Sequence, residues 1–152
     1  MDQVSILIML EKLRNWYQVS PVVREHTLSV LGMVGQNDRQ GQIRSCLDWV
    51  KSKIIYVNDP EGYEWLTSPE RFISQHRAGK PMYGDCDCHC LMLGSMLGSI
   101  GFDVKFVGVI MKGTSDFNHV ICGVMLDDKM QLEDPCAKLN PIHGYQKLLM
   151  VR

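Results

Sequence analysis

Gly84-Asp85-Cys86-Asp87-Cys88-His89-Cys90-Leu91-Met92-Leu93-Gly94-Ser95-Met96-Leu97-Gly98-Ser99-Ile100-Gly101 is the stretch on which the fold turns. Asp85 carries an oxygen that can accept the unpaired N–H groups of a first helical turn, and Gly101 is a residue that ends a helix at little steric cost. Between them Leu91, Leu93, Met96, Leu97 and Ile100 cover most of the helix circumference, the pattern of a buried helix. Cys86, Cys90, Gly94 and Gly98 recur at intervals of four, a line of small residues on which a sheet can approach the helix backbone closely.

Upstream, the spacing predicts helices. Ile6, Met9, Leu10, Leu13 and Tyr17 recur at helical intervals over residues 4–17, and Ser20 with Pro21 offers an N-cap and a first-turn proline for a second helix. A third, residues 38–55, has Ile43, Cys46, Leu47, Val50 and Ile54 on one stripe while Arg44, Asp48, Lys51 and Lys53 lie elsewhere. Cys46 therefore reads as core. Residues 58–62 form a turn cluster, and Ser68 with Pro69 starts a short helix that Gly79 and Pro81 end. Everything before the central helix reads as helix and loop.

Downstream of Gly101 the period changes. Residues 104–111 and 119–126 are rich in β-branched side chains, and a turn at Asp127-Asp128 returns the chain into residues 130–133, giving three antiparallel strands with a last short element at 148–151. Helices first and strands after make this an α+β chain in which a central buried helix packs on a small antiparallel sheet.

The 152 residues, 45% of them hydrophobic, suit one domain over 1–152, with a helical part at 1–54 and the chemistry in 84–152. Basic and acidic residues number 16 and 17 and no basic run occurs, which argues against a nucleic-acid partner. The apolar run at 6–10 is too short to span a bilayer and lacks a basic lead, so neither a signal peptide nor a membrane anchor is expected. That run is instead a surface on which a partner chain could pack. Three of six cysteines crowd into Cys86, Cys88 and Cys90, too close to pair without strain, which favours free thiols and a reducing compartment. The ten methionines fall mainly on core positions.

Cys86 sits in the first turn of the central helix, where open N–H groups and the positive end of the dipole favour a thiolate. His119 starts a strand after a hairpin loop at 112–118, and Asp134 lies one strand later, before Pro135. Adjacent antiparallel strands can set a histidine against an aspartate across the ladder, as a general base with an orienting acceptor requires. The expected roles are Cys86 as nucleophile, His119 as base and Asp134 as the group that orients it. A metal site built from Cys86 and Cys90 with His119, Cys122, Cys136 or His143 is the rival. Alternate cysteines on a helix do not match a zinc knuckle, so no metal and no cofactor is expected. His89 reads as a surface or supporting residue, Cys122 as strand core, and Cys136 as the thiol most exposed to oxidation.

Gly84, Asp85, Cys86 and Asp87 with the helix behind them, then His119, then Asp134 and Pro135, resemble the transglutaminase-like superfamily of papain-type folds. The lead-in from Ile55 through Ser68 and Pro69 is similar to bacterial and bacteriophage-encoded members. The resemblance implies cysteine-dependent acyl transfer on an amide of a protein or peptide, by Cys86, His119 and Asp134. It also implies an oxyanion hole made by the Cys86 N–H and one further donor, for which Tyr83, Tyr63 and Trp65 are the candidates. Three positions depart from the family pattern: Cys88 replaces an acidic residue, Ile121 an aromatic one, and Gln131 or Leu132 a tryptophan. A phage origin would place the chain in a bacterial cytoplasm or in a virion. There the N-terminal helices could meet other particle proteins, and the fold could persist as a structural piece with an unused triad.

Overall fold

Capping side chains set the helix starts. The computed structural model describes residues 2–60, 62, 63, 65–111, 119–136 and 145–150. Helix α1 (Gln3–Tyr17) begins where the Asp2 carboxylate accepts the Ser5 N–H at 2.8 Å. Ser20 and Ser68, each followed by proline, cap α2 (Pro21–Leu31) and α4 (Pro69–Arg77), and Asp38 caps α3 (Arg39–Lys53).

Helix α3 stops two residues before the sequence expectation. Ile54–Tyr56 leave it as strand β1, which pairs in parallel with β2 (Met82–Gly84), Ile54 against Met82 and Tyr56 against Gly84. Ile54, expected on the helix stripe, is buried as the first residue of that strand. This two-stranded ribbon was read as helix end and loop. The β-branched and aromatic run at 54–57 had a partner on the far side of α4, which local pattern does not show.

Helix α5 (Cys86–Ser99) passes through the middle, with every residue from Asp87 to Leu97 buried. Against it lies an antiparallel sheet of β3 (Val104–Met111), β4 (His119–Leu126), β5 (Lys129–Glu133) and β6 (Tyr145–Met150), in the order β5-β4-β3-β6. Asp127 and Asp128, both with positive φ of 52° and 62°, make the tight turn between β4 and β5. Val104, Phe106, Val120, Cys122 and Val124 turn toward the helices, while Val107, Val109 and Ile121 cluster on the opposite face.

The small-residue line on α5 serves two neighbours rather than one. A Cβ at Gly94 would stand 2.9 Å from the Phe106 ring, and the Cys90 Sγ reaches the Val120 carbonyl at 3.2 Å, so the sheet settles there. At Gly98 the space is taken by Gln18, so helix α1 uses it. The apolar arc of α1 likewise turns inward: Ile6, Leu7 and Leu10 are buried, and Val4 and Ile8 are left exposed. Most of the surface expected to meet a partner is therefore covered by the chain itself. Among the described residues no helix is long and apolar enough to cross a membrane.

Where α2, α3 and α4 meet, His26 packs 4.4 Å from the Trp49 ring and 5.9 Å from His76. Burial, aided by charge on His76 and Arg77, pushes His26 down to about 4 from 6.5. The unfolded chain takes up this proton near pH 6.5 and the fold resists it. The stability involved is complete above that pH and is lost as pH falls toward 4. A His26→Phe variant is expected to lose up to about 3 kcal/mol less than the parent between pH 7 and 4, read from denaturant midpoints.

Candidate active site

The tip of α5 is built by its cap. One oxygen of Asp85 accepts the Asp87 and Cys88 N–H groups at 3.1 and 3.2 Å, which leaves the Cys86 N–H out of the cap. Gly84 precedes it because a Cβ there would meet the Cβ of Cys88 at 2.5 Å. His119 is the first residue of β4 and Asp134 directly follows β5. The structure brings these two together, with His119 Nε2 2.7 Å from Asp134 Oδ2. The other carboxylate oxygen accepts the Cys136 N–H at 2.9 Å, and Asp134 is only 3% exposed, so its orientation is held at both ends. A carboxylate beside Nε2 favours the ring orientation in which that nitrogen donates to it.

Cys86 lies beside the start of strand β4, where the backbone N–H of Val120, the residue after His119, faces its sulfur. The thiol is half-buried and its Sγ lies 3.8 Å from Asp87 Oδ1. Burial first, then the charges of Asp87, Asp85 and Asp134, push the thiol well above its ordinary value, and the Val120 N–H offsets only part of this. The thiolate expected from a helix N-terminus is thus outweighed by desolvation and by three carboxylates.

A cleft of about 390 Å³ opens at Cys86, walled by Gln3, Tyr56, Asp59, Tyr63, Asp87 and Val120. Of the expected donors only Tyr63 belongs to it. Tyr83 and Trp65 line a separate cavity of about 200 Å³ beside Arg71 and Gln75. Tyr56, Asp59 and Gln3 were not anticipated; the only local signal was the turn cluster after β1, which identified a loop but not what it faces. Burial, together with the Asp59 carboxylate, raises Asp85 to about 6 although the Cys88 N–H pulls the other way. The unfolded carboxyl ionises near 3.8 and the folded one only near 6, so stability present below pH 3.8 is lost as pH rises to about 6 and stays lost above it. Asp59→Asn is expected to recover about 1 kcal/mol at pH 8 and little at pH 4, measured by urea unfolding.

His89 is not a surface residue. It is 2% exposed, with Nδ1 2.7 Å from the Asp85 carbonyl and Nε2 3.1 Å from the Ile54 carbonyl, and it packs against the Tyr56 ring. Burial lowers its proton affinity, and its place ties the tip of α5 to β1. Cys88 faces the Trp65 carbonyl at 3.5 Å and the Thr67 N–H at 3.4 Å, away from Cys86. Cys90 and Cys122 are buried, and Cys136 is half-buried with its thiol pushed up by burial and by Asp134. All six thiols are free. Among the described residues no three His, Cys, Asp or Glu side chains are grouped to hold a metal ion; His143 lies outside the described residues.

The architecture is shared with solved structures. One, a candidate cysteine protease from Cytophaga hutchinsonii, superimposes with a TM-score of 0.61 over 81% of this chain at 13% identity. Another, a candidate protease from Parabacteroides distasonis, gives a TM-score of 0.56 over 84% at 14% identity. This chain spans 39% of the length of the first and 25% of the second. Likeness at such identities is likeness of fold, and the class is a mixed helix and sheet fold shared with these two structures. No protein-family model matches the chain, and no curated protein matches its sequence.

Proposed function

We propose that this chain is a cysteine hydrolase that opens an amide bond through a thioester on Cys86. The observation that carries the reading is the 2.7 Å bond from His119 to the buried Asp134, at the strand end whose next N–H faces the Cys86 sulfur. In the proposed cycle the Nδ1 lone pair of His119 takes the thiol proton as sulfur attacks the amide carbon. The raised thiol makes this transfer concerted with attack rather than complete beforehand. The C–N bond then breaks, His119 returns the proton to the departing amine or ammonia, and the acyl group stays on sulfur. Water, deprotonated by His119, releases the acid; a lysine amine in place of water would give a cross-link, as in the transglutaminases that the motif resembles. Asp134 orients the ring and stabilises the imidazolium. Asp134→Asn is expected to lower kcat by roughly 10² to 10⁴ with the fold retained.

The direct test incubates the protein with an unfolded protein substrate and scores new N-termini, released ammonia and isopeptide bonds separately by mass spectrometry. New N-termini or ammonia above the Cys86→Ala background are expected. None of the three products above that background would overturn the reading. A second reading, a structural piece that retains the fold with an idle site, draws on the suppressed acidity of Cys86. It predicts that Cys86→Ala leaves every assembly the protein enters unchanged.

A further inference from the structure

A cavity of about 890 Å³ lies at the other end of α5 from Cys86. Its floor is Gly98 to Gly101 at the C-terminal end of that helix, and one wall is the α2 row of Arg24, Leu28 and Leu31. These three stand on successive turns, so cationic and apolar groups run for about 10 Å, the reach of three extended peptide residues. Val19, at 76% exposure, and Leu28, at 49%, offer uncovered apolar surface beside the guanidinium groups. The opposite wall holds Arg39. Its guanidinium lies 3.6 Å from the centroid of the Phe102 ring, and its Nη1 donates to Gln42 at 2.6 Å and to the Ile100 carbonyl at 3.3 Å. The charge is therefore fixed in place. The lining contains two arginines and no Asp or Glu, and among the described residues neither arginine forms an ion pair. On its far side Arg39 borders a smaller cavity with Asp103, Asp127 and Asp128, which Arg24 does not line.

We propose that this groove docks an extended acidic and apolar peptide segment of a partner protein, with carboxylates at Arg24 and Arg39 and an apolar side chain against Leu28 and Val19. Charge complementarity selects the partner: neither Arg24 nor Arg39 has an anionic partner among the described residues, so a carboxylate gains a charge-assisted hydrogen bond at either, and a basic segment finds no counter-charge. The inference stands apart from turnover at Cys86, because the groove and the cleft lie at opposite ends of one helix.

The test is fluorescence anisotropy on the full chain with a labelled hexapeptide of alternating Glu and Leu, alongside its Lys and Leu counterpart. Saturable, salt-sensitive binding of the acidic peptide is expected, weakened about tenfold or more by Arg24→Glu and by Leu28→Asp, both exposed positions whose change leaves circular dichroism unaltered. Amide shifts on binding should centre on residues 19–31 and 98–101. Equal binding of the two peptides, shifts centred elsewhere, or no saturation below about 1 mM, roughly the weak end of specific association, would overturn the proposal. So would binding of anionic vesicles or single-stranded DNA that is lost in Arg24→Glu while the acidic peptide fails to bind.

Discussion

Cys86→Ala is expected to abolish amide turnover, by at least about a thousandfold, with thermal unfolding within a degree or two of the parent. The size follows from the chemistry: without sulfur no thioester forms, and the His119–Asp134 pair is left to activate water alone. The fold should not notice, because the substitution removes one half-buried sulfur and keeps a good helix former at the first turn. The side-chain hydrogen bond given up is the long 3.8 Å contact from the thiol to Asp87. Intact-mass measurement with a reactive amide or ester checks the same step. The parent should gain one acyl group, and the variant none. A variant that keeps more than about a tenth of parental turnover would move the nucleophile elsewhere, since auxiliary groups do not replace a covalent nucleophile.

Phe106→Ala should have the largest effect on stability, a loss of about 3 to 5 kcal/mol in denaturant unfolding. Phe106 is 1% exposed, stands across from Cys122 on β4, and presses its ring on Gly94 of α5. Removing the ring empties the contact between sheet and helix, and a glycine opposite has no side chain to fill the space. That loss is a large share of a typical stability of 5 to 15 kcal/mol, so the variant should be close to unfolding at 37 °C. Gly94→Ala attacks the same contact from the other side by placing a Cβ 2.9 Å from the ring, an overpacking cost of about 1 to 3 kcal/mol. The two changes share one cavity, so Phe106→Leu combined with Gly94→Ala should cost less than the sum of the single variants. Strict additivity would mean that helix and sheet do not meet there.

Local chemistry is what the sequence by itself determined. The starts of α2, α4 and α5 at Ser20, Ser68 and Asp85, the stop before Gly101 and the I′-type turn at Asp127-Asp128 follow from side chains that satisfy or bend their own backbone within a few residues. The β-branched content of β3 and β4 and the all-round apolar surface of α5 are local as well, and with them the α+β order and the placing of Cys86 at a helix tip. Tertiary structure alone decided the rest, because it depends on groups distant in the chain. The β1–β2 ribbon needed Met82–Gly84 to be brought beside Ile54–Tyr56, and Gly98 met α1 where the sheet had been expected. His89 became a buried tie because the Ile54 carbonyl arrived beside it. The acidity of Cys86 shows the division most plainly: its position on the helix argued for a thiolate, and burial with Asp87, Asp85 and Asp134 around it pushes the thiol the other way. Helix-end effects are worth about a kilocalorie per mole and are carried by neighbours in sequence. Desolvation and nearby like charges are worth several, and only the packed chain sets them.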